Sequence, residues 1–266
     1  MIDIHTHILP GVDDGPADMD TALSTLQHIE VCGVTDLFLT PHFMPGAYQN
    51  TKEKIVETYQ LFKQKALERG ISINLHLGLE IYLTELDNNN NTISDNRLGD
   101  SDYVLVETAL HGFPINLKEI LFSIVRSGLK PILAHPERYI DFIQNVSLAE
   151  DYIYRNVYFQ GNAGSFLGYH GRTVAGTAWE MFHKGFYHFI ASDEHCHGKD
   201  YSLIILRNML MENYSESQID LLMQDNPARI LQNEKVVFFN PEIKPTRDKG
   251  NSGNIFQKFL RLLNNE

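Results

Sequence analysis

Cysteine is nearly absent from this 266-residue chain, which contains only Cys32 and Cys196. Two thiols cannot build the disulfide framework of a small secreted domain, and their scarcity fits a reducing, cytoplasmic compartment. Long apolar runs are missing as well. No segment approaches the roughly 20 residues that span a bilayer, and the N-terminus runs straight into Ile2-Asp3-Ile4-His5 with no charged and then apolar leader. Basic residues are outnumbered, 22 Lys plus Arg against 34 Asp plus Glu, for a formal net charge of −12. That balance argues against a nucleic-acid groove, which needs a basic stripe, and leaves carboxylates free to serve as cation ligands.

What is present is a regular alternation. Short β-like runs near 2–5, 36–40, 73–80, 103–107, 131–134, 157–161 and 187–191 are separated by stretches with helical apolar spacing, such as Ile55, Tyr59, Phe62 and Ala66, or Ile120, Leu121, Ile124 and Val125. Repeated β/α units of this kind predict a parallel sheet with helices outside it, a seven-stranded barrel-like α/β domain over 1–243. Asn50-Thr51-Lys52-Glu53 reads as a capping box, and Asn226-Pro227 as an N-cap followed by proline at the first helical position. The asparagine run from Asp87 to Thr92 reads as a polar surface loop. Residues 244–253 are rich in turn formers and read as a linker, and 254–266 open with an apolar and basic pattern that predicts a short amphipathic helix, suited to packing or to peripheral contact with a membrane or partner.

The chemistry gathers at the ends of the predicted strands. His5-Thr6-His7 closes the first, and residues two apart in an extended chain point the same way, so both imidazoles can meet one cation. The second ends at Thr40-Pro41-His42, the third at Glu80, the fourth at Glu107, the fifth at His135 and the seventh at Ser192-Asp193-Glu194-His195. In a β/α barrel the C-terminal strand ends surround one site, so these residues converge although they are scattered in sequence. With Asp14 from the Val12-Asp13-Asp14-Gly15 turn there are five histidines and four carboxylates, more than one ion can use. Imidazoles mixed with carboxylates, without clustered thiolates, suit two or three Mn²⁺, Fe or Zn²⁺ ions.

These elements, Asp3-Ile4-His5-Thr6-His7, Asp13-Asp14-Gly15, Thr40-Pro41-His42, His135-Pro136-Glu137-Arg138-Tyr139 and Ser192-Asp193-Glu194-His195, resemble the PHP (polymerase and histidinol phosphatase) superfamily. The His-Pro-Glu-Arg-Tyr element, with Pro114-Ile115-Asn116-Leu117, resembles its capsule-type (CpsB-type) manganese-dependent bacterial protein-tyrosine phosphatases. That resemblance implies a distorted (β/α)7 barrel of the PHP fold, hydrolysis of phosphotyrosine by in-line attack of a metal-activated hydroxide, and as partner an autophosphorylating tyrosine kinase of polysaccharide export. It implies one metal held by His5, His7, Glu80 and Asp193, a second by Glu80, Glu107 and His135, and a third by Asp14, His42 and His195, with Arg138, His42 and His195 in catalytic positions. Arg138 falls where the family binds phosphate. A second family arginine has no match, because the chain reads Cys196-His197-Gly198-Lys199 there, so Lys199 or His197 is left to supply that contact.

Several residues invite other readings. Neither cysteine is followed six residues on by the arginine of a cysteine phosphatase, since Phe38 and Ser202 stand there, and both thiols are read as packing residues. His28, His76, His183 and His188 lie away from strand ends and are read as structural; His111 and His170 sit in loops on the catalytic side, and Asn162 ends the sixth strand where it can orient a ligand. Tyr48, Phe113 and Tyr139 suit an aromatic wall beside a phosphotyrosine ring and equally suit the core. The competing functions are a small-molecule phosphatase of histidinol-phosphate or nucleotide type, built on the same metals, and a non-catalytic metal-binding regulator of a kinase.

Overall fold

A computed structural model describes residues 1–266 except 45, 49, 85–92, 199 and 244–266. The asparagine run, Lys199, the linker and the amphipathic segment therefore lie outside the described residues. Nine short strands form among the described residues: β1 (Ile2–Asp3), β2 (Asp36–Leu39), β3 (His42–Phe43), β4 (Asn74–Leu77), β5 (Glu80–Tyr82), β6 (Tyr103–Glu107), β7 (Lys130–Ala134), β8 (Tyr158–Asn162) and β9 (Phe189–Ala191). Every pairing is parallel, in two sheets of order β1-β2-β4 and β3-β5-β6-β7-β8-β9.

Nine strands replace the expected seven because two runs are interrupted. Pro41 has no N–H to give a ladder and separates β2 from β3. Gly78 separates β4 from β5 where another segment comes too close for a side chain, since a Cβ at that position would sit 2.5 Å from Leu98 Cδ2. Across the gap between the sheets, Thr6 and Glu194 form an isolated parallel bridge, with His7 N donating to Glu194 O (2.8 Å) and Asp193 N to His5 O (2.9 Å).

Strand alternation explains where the core ends and the site begins. Tyr103, Leu105, Ile132, Ala134, Phe38, Tyr158, Phe189 and Ala191 belong to one buried cluster, while Val104, Val106, Leu133, Phe159 and Ile190 face another shared with the helices. Continuing the period of two from the first set carries Phe38 to His42, Leu105 to Glu107, Tyr158 to Gln160 and Asn162, and Ala191 to Asp193. The apolar layer thus gives way to polar groups toward the strand ends.

The helix starts hold two corrections. Helix Lys52–Glu68 is capped by Thr51, whose hydroxyl accepts from Lys54 N (3.3 Å), and not by Asn50. Asn50 has tertiary work instead: its Nδ2 donates to Val12 O (3.0 Å) and His42 O (2.8 Å), tying the Val12 turn to β3. Asn226 is not an N-cap either. The chain is already helical through Glu216–Asp220 and a wider π turn, Leu221–Asp225, that leads directly into Asn226–Leu231 and absorbs the N–H missing at Pro227. The buried Asn226 amide bonds His188 O, Val237 O and Val237 N, which outweighs a local cap.

Candidate metal centre

The predicted ligands meet at one end of the sheets, around three groupings. In the first, His5 Nε2 and His7 Nε2 lie 2.9 Å apart, and each stands 3.3–3.4 Å from Glu80 Oε2 and 3.3 Å from Asp193 Oδ1. In the second, His42 Nδ1 is 2.9 Å from both Glu80 Oε2 and Glu107 Oε1, while His135 Nε2 is 3.1 Å from Glu80 Oε1 and 3.9 Å from Glu107 Oε2. In the third, Asp14 Oδ1 is 3.3 Å from His195 Nε2 and 3.6 Å from His42 Nε2, and His7 completes the group. His42 therefore faces two groupings at once, one through each ring nitrogen.

The donor set fits divalent cations. His42 Nδ1, Glu80 Oε2 and Glu107 Oε1 are buried, within 2.9 Å contacts, yet none has a hydrogen-bonding partner in acceptable geometry. Buried polar atoms that converge without bonding one another are the signature of a shared coordination partner. Tautomers point the same way. His195 Nδ1–H donates to Asp193 O (2.8 Å), His5 Nδ1 is paired with Gln160 Oε1 (2.7 Å), and His7 Nδ1 with Asp13 Oδ2 (2.9 Å), leaving each Nε2 turned toward the cluster.

Electrostatics in the metal-free chain follow from this crowding. Burial opposes the charge on His42, but Glu80 and Glu107 outweigh it and carry the ring up to about 10. His5 and His7 are raised against the same burial penalty, by Glu80 and Asp193 and, for His7, by Asp13. Burial alone would push Glu80 and Asp193 up; instead the surrounding imidazoles hold both well below the usual carboxylate range. His195 does the same for Asp14, which stays half exposed at the mouth.

A cavity of about 710 Å³ opens over these groups and is also lined by Arg138, His170 and His197. Arg138 Nη1 donates to Asp193 Oδ2 (3.3 Å), and Asn162 Nδ2 donates to the same oxygen (2.7 Å) and to His170 Nε2 (3.4 Å). The His197 ring stacks on His195 at 5.8 Å, and Tyr48 lies parallel to His42 at 5.4 Å, its hydroxyl pushed up to about 12 by burial and by Asp14. A larger cavity, about 870 Å³, lies beside helix Lys52–Glu68, but its only close His–carboxylate pair among the described residues is His76–Asp36 (3.0 Å). It offers no grouping of three potential ligands.

Tyr139 is not an accessible wall. It is fully buried, and its hydroxyl accepts from Thr108 N (3.3 Å), with Phe113 packed against it at 5.3 Å. Burial pushes the Cys196 thiol up to about 11, the wrong direction for a nucleophile. His183 bonds Tyr214 OH (3.0 Å), far from the cluster in the fold, and His188 Nδ1 accepts from Phe159 N (3.1 Å). Two groups that bond the histidines of the cluster escaped sequence reasoning. Asp13 was hidden by its neighbour Asp14, and Gln160 by a strand whose only signal was a polar residue two before Asn162, on the same face.

Comparison with known proteins adds to this geometry. A family model described as "Capsular polysaccharide synthesis, CpsB/CapC" matches residues 1–232. CapC of Staphylococcus aureus is 30% identical over 253 residues, covering 93% of this chain and 96% of that protein. The tyrosine-protein phosphatase YwqE of Bacillus subtilis (strain 168) is 25% identical over 244 residues, 89% of this chain and 93% of YwqE. A solved structure from work on YwqE and on CpsB of Streptococcus pneumoniae, described as metal-dependent tyrosine phosphatases, superposes with a TM-score of 0.79 at 24% identity, covering 92% of this chain and all of that one.

Proposed function

The chain belongs to the CpsB/CapC family of capsular polysaccharide synthesis, and from that premise we propose that it is a metal-dependent protein-tyrosine phosphatase whose metal ligands are His5, His7, Asp14, His42, Glu80, Glu107, His135, Asp193 and His195. The observation that carries the reading is the convergence of these nine side chains, from strands and turns far apart in sequence, beneath one cavity with Arg138 at its side. The Thr6–Glu194 bridge supports closure of the two sheets into a distorted seven-unit barrel within 1–243.

Divalent cations held here would lower the pKa of water and offset the charge that develops on the phosphoryl oxygens. Two or three ions, with Mn²⁺ preferred and Fe or Zn²⁺ as alternatives, suit the mixed imidazole and carboxylate donors. The remaining roles belong to the protein. Glu80 is buried between His5, His7, His42 and His135 and serves two groupings, which fixes the spacing of the ligands. Arg138 presents a guanidinium to the phosphate, and its bond to Asp193 sets its direction. His42 and His195 form the side of the cluster toward Asp14 and the cavity mouth. His197, Lys199 and Tyr48 are assigned to substrate contacts, the first lining the cavity and the last stacked on His42.

The substrate class is a phosphotyrosine-bearing protein, and the partner proposed is a tyrosine kinase of capsular polysaccharide export. No helix among the described residues is long and apolar enough to cross a membrane. The test is phosphate release from phosphotyrosine peptides compared with histidinol phosphate and nucleotides, on protein whose metal content is measured in parallel. Preference for the small phosphates would replace the proposed substrate, and a retained peptide complex without phosphate release would replace the enzyme reading.

A further inference from the structure

Two adjacent aspartates, Asp13 and Asp14, enter the site from one turn, and the structure separates their duties. Asp14 is half exposed and turns its Oδ1 toward His42 and His195. The Asp13 side chain is fully buried, and both of its oxygens are committed within the protein. Its Oδ2 accepts from His7 Nδ1 (2.9 Å) and from the backbone N of His42 (3.0 Å), and its Oδ1 accepts from Gly15 N (3.1 Å). A Cβ at Gly15 would fall 1.7 Å from His7 O, so the turn is pressed against the very residue whose ring Asp13 holds.

We propose that Asp13 is a positioning residue for the metal centre: its buried carboxylate fixes the Nδ1–H tautomer of His7, aims Nε2 at the cation and strengthens that nitrogen as a ligand. The inference rests on the metal-centre reading given above. The comparison within the His-x-His pair sharpens it. His5 is oriented by the neutral amide of Gln160, itself held by a bond from Gln160 Nε2 to Gly161 O (2.8 Å), whereas His7 is oriented by a charge. A carboxylate behind an imidazole raises its basicity, which a neutral amide does far less, so the two ligands of one pair are unequal donors. His7 is also the ring shared between the first and third groupings, where the stronger donor has the greater effect.

The test is a double-mutant cycle read by Mn²⁺ affinity, measured by calorimetry on chelator-stripped full-length protein. Asp13→Asn should weaken Mn²⁺ binding by about 10- to 100-fold in the native background and by less than about threefold when His7 is already Ala, because the carboxylate then has no ring to act through. Unchanged affinity in the native background overturns the proposal. Equal weakening in both backgrounds also overturns it, since Asp13 would then act only through the backbone of Gly15 and His42. If the unsubstituted protein binds neither Mn²⁺ nor Zn²⁺, the metal-centre reading fails first, and separately. Should Asp13→Asn not fold, long-range ¹H–¹⁵N spectra of the unsubstituted Zn²⁺-loaded protein decide: a His7 ring protonated at Nδ1 upholds the proposal, and one protonated at Nε2 overturns it.

Discussion

Glu80→Gln is the most demanding perturbation of this site, because the change keeps the shape and removes one charge. The Glu80 carboxylate is fully buried, with Oε2 at 3.4 Å from His5 Nε2, 3.3 Å from His7 Nε2 and 2.9 Å from His42 Nδ1, and Oε1 at 3.1 Å from His135 Nε2. Glutamine retains one oxygen and puts an NH2 where an acceptor stood, facing ring nitrogens that need their lone pairs for cations. Loss of a ligand serving one ion lowers kcat by roughly a hundredfold, or about 2.7 kcal/mol at 1.36 kcal/mol per decade. Glu80 serves two groupings, so simple addition gives about ten-thousandfold. Groups that act as a unit do not add, which makes about a thousandfold, roughly 4 kcal/mol, the working expectation for kcat. The assay is phosphate release from a phosphotyrosine peptide at saturating Mn²⁺, with bound metal counted by mass spectrometry. Activity within tenfold of wild type at full metal content would refute the role of Glu80 as a shared ligand.

Further expectations follow from the same geometry. Strong chelation should abolish activity and Mn²⁺ should restore it better than Mg²⁺, whereas thiol alkylation should leave it largely intact; full activity in excess chelator, after time for metal release, would contradict the metal mechanism. His135→Ala and Asp193→Ala should each lower kcat by roughly a hundredfold or more, and His183→Ala should not, since that ring is engaged with Tyr214; comparable losses at all three would show that strand-end position does not mark the ligands. Arg138→Ala should lower kcat/KM for the peptide without changing bound metal, and a loss of metal would reassign the residue. In the metal-free chain His42 is raised from 6.5 to about 10, so its contribution to stability is complete below about 6.5 and lost as pH rises through about 10. Stripped protein should accordingly melt lower at alkaline pH than near neutrality, and Mn²⁺ binding near neutral pH should release at least about one proton, seen as calorimetric heats that vary with buffer ionisation enthalpy; heats independent of buffer would count against it.

The convergence of the candidate ligands was legible because strand periodicity and strand-end chemistry are both local properties. His5, His7, Glu107 and Asp193 each follow an apolar run that marks its own strand, and nothing in the tertiary structure moves them off its end. What could not be read depends on contacts between distant segments. A side chain at Gly78 would meet Leu98, twenty residues on, and Asn226 serves His188 and Val237 instead of a helix start. Asp13 and Gln160 act only through partners in three dimensions, and two neighbouring aspartates look identical until one is seen buried and the other half exposed. Tyr139 stayed open for a similar reason, since an aromatic near a strand-end histidine is equally suited to a wall and to the core, and its burial places it in the core.

Among the described residues five that are not glycine hold a positive φ, and the two outside the site, Asn156 and Asn233, are of the type that tolerates it best. The other three are His135 (φ 35°), Asp193 (φ 55°) and Cys196 (φ 63°), two of them assigned ligands at the ends of β7 and the β9 run. A left-handed backbone costs such residues about 1 kcal/mol or more, relief that glycine would bring without moving the chain. Buried contacts hold both against that preference, Asp193 through His5, His7 and Asn162 and His135 through Glu80, so the polar cluster also pins the backbone where two strands end.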